Sequence, residues 1–288
     1  MEVKKIKINR FPSHKLKKFI KDWMPPAIIS FLKKIMKDEN SGIIWYGDFK
    51  SWEEAKRVSG GYEDKVILEK VKEAAIRVKK GEAVYERDGV IFDEVQYSWP
   101  LLAGLMWIAA QNKGELNIID FGGALGTTYF QNKKFLDAIP KVRWNIVEQK
   151  HFVDEGKKFF EDDVLKFYYD IETCLKETSS NTILFSSVIQ YLESPYKFLQ
   201  DIKNIGFEFI LFDRTPFVDR EEELLTVQKV PPEIYPASYP CWFFSKRKFY
   251  SFFEKDYDII AKFESPFDKA NIPNSTFEGC ILRRRKTI

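Results

Sequence analysis

The chain has 288 residues, of which 44% are hydrophobic and 16% aromatic, which suffices for one large domain or two small ones. With 31% charged residues and a net charge of only +3, the whole chain lacks the positive field of a nucleic-acid-binding protein. The three cysteines have no motif spacing, and the only histidines are His14 and His151, so we expect free thiols in a reducing compartment and no metal site. No apolar run approaches the roughly 18 residues of a membrane span, and we expect a cytoplasmic protein.

The N-terminal segment differs in charge from the rest of the chain. Residues 1–37 hold 11 Lys and Arg against 2 Asp and Glu. Apolar residues recur at helical spacing on both sides of Pro25-Pro26, which interrupts the pattern. Residues 1–40 therefore predict a basic amphipathic helical arm. It either packs on the body or on a neighbouring subunit of a homo-oligomer, or lies peripherally on the anionic inner face of the membrane.

Residues 41–115 predict an N-terminal helical cap. Ser51 and Glu54 have the spacing of a capping box at the start of a first helix. A second helix is predicted over residues 64–80, where apolar positions share one face. Ser98 is the expected cap of a third helix, whose first turn tolerates the proline that follows.

From residue 116 onward the pattern changes to short apolar strands alternating with helices. This alternation predicts a mainly parallel sheet covered on both faces. The last two strands are joined by a stretch without a helical pattern, which indicates an antiparallel hairpin. The predicted fold is therefore a doubly wound α/β sheet of seven strands with an antiparallel C-terminal strand, preceded by N-terminal helices. The seven strands are predicted at residues 116–121, 143–148, 166–169, 181–186, 207–213, 257–263 and 277–283.

The stretch "LNIIDFGGALGTTYF" is the strongest candidate for a ligand site. The predicted strand ends at Asp120, and Gly122, Gly123 and Gly126 follow, where glycine lets the backbone turn beside a ligand. Doubly wound sheets bind ligands beyond the carboxyl ends of their strands. A G-x-G-x-x-G dinucleotide site would need glycine where Phe121 stands, which argues against the alternative of an NAD-dependent oxidoreductase.

The next predicted strand ends at Glu148, 22 residues after Gly126. A carboxylate at this point can accept hydrogen bonds from both hydroxyls of a ribose, which implies an adenosine-type ligand. Asp120 would repel the pyrophosphate of a dinucleotide. Taken alone, however, Glu148 could also be a solvated strand end.

The spacing Asp120-x-Gly122-x-Ala124-x-Gly126 resembles the first motif of the Rossmann-like (class I) S-adenosylmethionine-dependent methyltransferases, with Ala124 replacing the middle glycine of D/E-x-G-x-G-x-G. The resemblance implies S-adenosyl-L-methionine as cofactor and S-adenosyl-L-homocysteine as product. More narrowly, "WYGDF.SW..A", "FGGALG..Y", "SSVIQYLE" and "YPCWFFS" resemble a family of methyltransferases found among surface-polysaccharide biosynthesis proteins. This resemblance covers most of residues 43–285.

The candidate cofactor residues lie in the glycine loop, at two further strand ends and in the cap. Ser186 and Ser187 would edge the methionine part, although they could simply begin a turn and cap a helix. The segment "QYSW" of the cap would close over the cofactor. The candidate cofactor-binding residues are Asp120, Phe121, Gly122, Gly123, Gly126, Glu148, Gln149, Ser186, Ser187 and Tyr97.

Residues 228–250, rich in aromatic residues and prolines, are the candidate acceptor lid. Aromatic faces suit sugar rings and other partly apolar acceptors, but the same residues could form a satellite core under a long loop. The candidate substrate-binding residues are Gln190, Tyr191, Arg214, Tyr239 and Trp242.

Two residues are candidates for proton transfer. Asp213 ends the fifth strand and could be the base for an alcohol acceptor, or part of a structural ion pair with Arg214. His151 lies three residues past Glu148 and could reach the site, or it could be a surface histidine.

The sequence thus predicts a methyltransferase of residues 116–288 that O-methylates a sugar or related small acceptor, such as a glycan precursor, without nucleic acid. A non-catalytic scaffold that keeps the fold and recruits glycan enzymes to the membrane is the alternative from another class.

Overall fold

The structure, a computed structural model, describes residues 42–60, 64–232 and 234–286, and the predicted arm lies outside them. Residues Ile43–Ile288 form one compact unit. In the described ranges, no helix has both the length and the apolar character needed to cross a membrane. No group of three or more metal-ligating side chains is found in those ranges either. All three cysteines are buried and free.

The described part of the chain contains eight α-helices and twelve strands. The helices are α1 Trp52–Val58, α2 Asp64–Lys79, α3 Trp99–Gln111, α4 Thr127–Leu136, α5 Lys150–Phe159, α6 Ile171–Thr178, α7 Pro195–Ile205 and α8 Lys246–Phe253. The strands are β1 Ile44–Tyr46, β2 Tyr85–Arg87, β3 Val90–Phe92, β4 Glu115–Phe121, β5 Lys141–Val147, β6 Leu165–Tyr168, β7 Thr182–Ser186, β8 Phe209–Val218, β9 Leu224–Val230, β10 Ala237–Ser245, β11 Tyr257–Glu264 and β12 Ser275–Arg284.

Seven strands form the central sheet in the order β6-β5-β4-β7-β8-β12-β11. Strands β4 to β8 are parallel, whereas β12 runs antiparallel between β8 and β11. Neighbouring residues of one strand enter separate hydrophobic clusters, as Ile118 and Ile119 of β4 do. Because both faces are covered, the strands are apolar throughout. The doubly wound fold and its antiparallel C-terminal strand are confirmed.

Three strands extend the sheet beyond this prediction. Strand β8 continues past the end of β7, and its last two residues pair with Phe244 and Ser245 of β10. Strands β10, β9 and β1 then follow as antiparallel neighbours. The segment considered as a lid is therefore mostly strand and helix. Pro240 is tolerated within β10 because the strand has a partner on one side only at that point.

The three helices predicted within residues 41–115 are present as α1, α2 and α3. The hydroxyl of Ser51 accepts a hydrogen bond from the Glu54 N–H at 3.2 Å, which confirms the predicted N-cap of α1. The carboxylate of Glu54 accepts from the N–H of Lys50 at 3.0 Å, one residue earlier than a standard capping box requires. A short hairpin, β2–β3, lies between α2 and α3 and was not predicted.

Candidate active site

The parallel strands β4, β5, β7 and β8 bring four of the predicted residues to one edge of the sheet. Asp120 lies at the end of β4, Glu148 directly after β5, and Ser186 at the end of β7, where it pairs with Asp213 of β8. Parallel strands share the direction of their carboxyl ends, so the sequence order alone predicts this grouping.

The backbone at this edge is strained at three non-glycine positions. Ala124, Ser187 and Arg214 have left-handed φ angles of +49°, +55° and +53°. Such positions cost of order 1–3 kcal/mol each and concentrate at ligand sites. Ala124 stands where the resembled motif has glycine, so it keeps the left-handed loop conformation at some energetic cost.

Strand β8 carries a β-bulge at the site. Thr215 pairs with Glu278 and Phe212 with Cys280 of β12, so that Asp213 and Arg214 together oppose a single residue. A bulge redirects the side chains of the bulged strand and is often found next to active sites. Here it accompanies the left-handed φ of Arg214.

The glycine loop lies directly on a buried carboxyl group. Gly122 and Gly126 have φ angles of +73° and +101°, which favour glycine. A Cβ atom at Gly123 would lie 2.6 Å from Cγ of Asp120, and one at Gly122 would lie 2.4 Å from the side chain of Val188. Glycine is therefore required at both positions by close approach of neighbouring groups.

Asp120 is only 1% exposed and lies beneath this loop. Its Oδ2 accepts a hydrogen bond from Nε1 of Trp144 at 3.0 Å, whereas its Oδ1 has no partner in the described part of the chain. Burial raises the pKa of Asp120 to about 7; the Trp144 hydrogen bond opposes this rise and the charge of Glu148 adds to it. Asp120 can therefore contact a ligand directly only if the loop above it moves.

Glu148 is half-buried beside the same loop. Its carboxylate accepts the backbone N–H of Gln149 and interacts with that of Ala124. Burial raises the pKa of Glu148, and these backbone hydrogen bonds oppose the rise. Within the described ranges, neither Glu148 nor Asp120 forms an ion pair with a basic side chain, so two neighbouring carboxyl groups share the edge without a counter-cation.

Asp213 is buried between two serine hydroxyls. Ser98 donates to Oδ1 at 3.1 Å and Ser186 donates to Oδ2 at 3.2 Å. Burial raises the pKa of Asp213 to about 6, and the positive charge of Arg214 opposes this rise. Ser98 occupies the N-cap position of α3, but its hydroxyl makes no capping hydrogen bond to the helix. The predicted capping role of Ser98 is wrong, because its hydroxyl donates a hydrogen bond to the buried carboxylate of Asp213 and not to the helix.

A polar cleft opens beside Asp213, with a cavity of about 20 Å³. This volume holds about one water molecule. Its walls include Ser98, Ser186, Asp213 and Arg214, together with Tyr85 and Arg87 from the hairpin. A larger cavity of about 370 Å³ lies at the opposite, amino edge of the sheet, beside residues such as Asn112 and Asn117. None of the predicted site residues lines that larger cavity.

The hairpin residues of the cleft escaped the sequence analysis. Glu86 is buried, accepts a hydrogen bond from the Thr127 hydroxyl, and accepts a second from the Gly89 N–H at 3.2 Å. Burial raises the pKa of Glu86 to about 7. Because Thr127 is the first residue of α4, this carboxyl group lies at the helix N-terminus that follows the glycine loop. The Asp88-Gly89 turn was the available hairpin signal.

Two of the predicted acceptor residues, Tyr191 and Tyr239, form an aromatic wall beside β9. Tyr191 donates from its hydroxyl to Oε1 of Gln228 at 2.9 Å, and Nε2 of Gln228 donates to the Tyr239 hydroxyl at 3.3 Å. The two tyrosine rings meet edge to face at 5.2 Å. Trp242 donates to the carbonyl of Leu192 at 3.1 Å. The aromatic wall thus consists of Tyr191 and Tyr239, fixed by hydrogen bonds to Gln228, whereas Trp242 stacks on Trp52 at 6.3 Å.

The other two predicted acceptor residues already have protein partners. Arg214 donates two hydrogen bonds to the carboxylate of Asp268, at 2.9 and 3.0 Å. Gln190 is fully buried and donates from Nε2 to the Ser187 hydroxyl at 3.0 Å, while its Oε1 has no partner among the described residues.

The structure does not bring two further candidates to the strand ends. The ring of His151 packs on Phe152 at 5.0 Å in the first turn of α5. In the described part of the chain, no hydrogen bond or ion pair joins His151 to Asp213. Tyr97 packs against Trp99 at 4.7 Å and Phe135 at 5.3 Å. Their roles at a ligand site remain predictions, as does that of Gln149, which is exposed.

The chain matches no protein-family model and no curated protein. Among solved structures it is similar to the N-terminal domain of EvdMO1, determined with S-adenosylhomocysteine and D-fucose, at 12% identity and a TM-score of 0.47 over 78% of this chain and 98% of that one. It is also similar to an S-adenosylmethionine-dependent methyltransferase from Clostridium acetobutylicum, at 11% identity and a TM-score of 0.43 over 63% and 89% of the two chains. The N-methyltransferase NodS from Bradyrhizobium japonicum, bound to S-adenosylhomocysteine, follows at 10% identity and a TM-score of 0.41 over 67% and 90%. With TM-scores below 0.5, these likenesses do not establish what this chain binds.

Proposed function

We propose that this protein is an S-adenosylmethionine-dependent methyltransferase acting on a small acceptor. The observation that carries the proposal is the pair Asp120 and Glu148, two neighbouring carboxyl groups beside a glycine loop that have no counter-cation among the described residues. Like charges in a buried site raise each other's pKa, and a bound cation relieves that repulsion. A cationic adenosyl ligand supplies the missing positive charge, and its ribose hydroxyls match the acceptor oxygens of Glu148.

The residues at the edge fit this ligand chemically. Glu148 is partly accessible, Oδ1 of Asp120 has no partner in the ranges that the structure describes, and the glycine loop allows a close backbone approach. The cleft beside Asp213 holds about 20 Å³, so a nucleoside cannot enter that part without widening it. We infer that binding moves the loop at residues 122–126 away from Asp120.

Glu86 supports this ligand over a dinucleotide. A pyrophosphate would bind at the N-terminus of the helix after the glycine loop. That position in α4 already has the carboxyl group of Glu86, hydrogen-bonded to Thr127. An anionic ligand there would meet Glu86 and Asp120 together, so an NAD-dependent oxidoreductase is disfavoured.

S-adenosylmethionine, when bound, supplies a methyl group activated by a sulfonium. The chain's own task is to place an acceptor hydroxyl and remove its proton. Asp213, with a pKa of about 6, is mainly ionised at neutral pH and can accept that proton at Oδ1 or Oδ2. Ser98 and Ser186 hold its carboxylate in place. Positioning can contribute about 7–11 kcal/mol and a general base about 10²–10⁴-fold.

We extend the proposal to O-methylation of a sugar or a related small acceptor in surface-glycan biosynthesis. The aromatic wall of Tyr191 and Tyr239 supports the sugar class, since aromatic rings suit partly apolar sugar faces. The glycan context rests on the motif resemblance alone. A cytoplasmic location, with the arm of residues 1–40 touching a membrane or a second subunit, belongs to the same proposal.

The melting temperature, measured separately with S-adenosylhomocysteine, S-adenosylmethionine and NAD, tests the cofactor assignment. A ligand at 100 times its dissociation constant stabilises a protein by about 2.7 kcal/mol, which gives a clear shift. We expect shifts with both adenosyl ligands and none with NAD. A shift with NAD alone would reverse the assignment, and no shift with any of the three would remove the adenosine site.

A further inference from the structure

Arg87 differs from the other charged side chains in the walls of the polar cleft. The other two are Asp213 and Arg214. The guanidinium of Arg214 is bound by Asp268, and the carboxylate of Asp213 is bound by two serines. Within residues 42–60, 64–232 and 234–286, no ion pair or hydrogen bond engages the guanidinium of Arg87. Its N–H donors are therefore available to a ligand.

The nearby carboxylates of Glu86 and Asp268 accept hydrogen bonds from groups other than Arg87. Glu86 accepts from the Thr127 hydroxyl and from the Gly89 N–H. Asp268 accepts the two bonds from Arg214 and a third from the Ser265 hydroxyl at 2.7 Å. Both carboxylates are therefore held by hydrogen bonds to other groups of the protein. Arg87 thus interacts with these two carboxylates through charge alone, and no carboxylate of the described residues forms an ion-pair contact with it.

Two aromatic rings hold the guanidinium in place. Its central carbon lies 5.5 Å from the ring centroid of Phe92 and 6.0 Å from that of Phe267, which also lines the cleft. Stacking on aromatic faces uses the flat surface of a guanidinium and leaves the N–H groups at its edge unused. An oxyanion can therefore bind there without first ordering the side chain.

We propose that Arg87 binds a carboxylate or phosphate of the acceptor, so that the substrate class is a hydroxyl compound bearing an oxyanion, such as an acidic sugar. The inference rests on the proposed function, because the oxyanion belongs to the methyl acceptor. Asp213 faces the cleft as the base for the hydroxyl, and Arg87 faces it as a fork that matches an oxyanion through two parallel hydrogen bonds.

Calorimetric titration with three sugars tests the assignment. D-Glucuronate, D-glucose 6-phosphate and D-glucose are titrated into the full chain in the presence of saturating S-adenosylhomocysteine. We expect at least one anionic sugar to bind with an affinity at least tenfold higher than that of glucose. The anionic sugar with the higher affinity shows whether Arg87 binds a carboxylate or a phosphate. Arg87→Gln should abolish this preference, and Arg87→Lys should weaken it several-fold because lysine lacks the planar fork.

Arg77→Gln is the matched control, since Arg77 is exposed on α2 and its loss changes the net charge equally. It should leave every affinity unchanged. The proposal would be overturned if glucose bound as tightly as both anionic sugars, or if neither anionic sugar bound. It would also be overturned if the preference for an anionic sugar survived in Arg87→Gln. If Arg87→Gln does not fold, an unchanged affinity in Arg87→Lys counts against it.

The melting shift with S-adenosylhomocysteine separates the two proposals. A shift without an anion preference refutes the role of Arg87 and leaves the methyltransferase assignment intact. An anion preference without that shift refutes the methyltransferase assignment and leaves an oxyanion site at Arg87.

Discussion

The hydroxyl of Ser98 donates a hydrogen bond to the carboxylate of Asp213 at 3.1 Å, joining the start of α3 to the middle of β8. Helix α3 has no acidic residue in its first turn and no side-chain cap. A helix N-terminus carries a partial positive charge, so a carboxylate bonded to its N-cap residue suits that end. Ser98 is thus a positioning residue for Asp213 and links the cap to the sheet.

Ser98→Ala should destabilise the protein at neutral pH by about 1–2 kcal/mol, because a buried carboxylate loses a donor. The folded-state pKa of Asp213 is raised to about 6, so ionising it costs stability as pH rises above its ordinary value. Losing Ser98 raises that pKa further. We therefore expect a smaller loss at pH 4, measured by urea unfolding at both pH values. Ser98→Thr, which keeps the hydroxyl, is the control, and an equal loss at both pH values would contradict the role of Ser98.

The ligand-free protein should become less stable as pH rises from about 4.5 to 7.5. Glu86 and Asp120, each with a pKa of about 7, and Asp213 all bind protons more tightly in the folded state than in the unfolded chain. Ionising these groups lowers the free energy of unfolding. This loss is absent below their ordinary pKa values and complete above their raised folded-state pKa values. For Asp213 alone it amounts to about 3 kcal/mol. Asp120→Asn should flatten the unfolding free energy over this range, and an unchanged slope would show that Asp120 does not titrate there.

Glu148→Gln should weaken binding of S-adenosylhomocysteine at least tenfold and leave the fold intact. The amide keeps the shape of the side chain but loses the charge and one acceptor for the ribose hydroxyls. Glu115→Gln, at the exposed beginning of β4, is the control, because it removes the same charge from the opposite edge of the sheet. Calorimetric titration with S-adenosylhomocysteine measures the affinity of the two variants, and equal affinities would show that Glu148 is not part of the site.

Gly123→Ala should destabilise the protein by about 1–3 kcal/mol, because its Cβ would lie 2.6 Å from the Asp120 carboxyl carbon. Asp120→Ala removes the clashing group, so the glycine substitution should cost less in that background. Urea unfolding of the two single variants and the double variant measures this coupling. Strictly additive losses would mean that the loop does not rest on Asp120.

Short apolar runs between helical stretches were enough to locate the seven central strands within a few residues, because a sheet buried on both faces leaves a continuous apolar run in each strand. The same rule placed Asp120, Glu148 and Asp213 at one edge. It failed for β10, where Pro240 and the aromatic residues indicated a loop, and for the short hairpin β2–β3. The Ser98–Asp213 contact spans 115 positions and depends on how the cap docks, which no local pattern records.

The bulge of β8 separates two regions of a single strand. Before Asp213 the strand pairs with β7 next to the glycine loop, and after Arg214 it pairs with β10 next to the aromatic wall. An enzyme with this arrangement can change its specificity by replacing β9 and β10 while the register of β4, β5 and β7 stays fixed. Evolutionary divergence among proteins sharing this layout should therefore concentrate beyond the bulge.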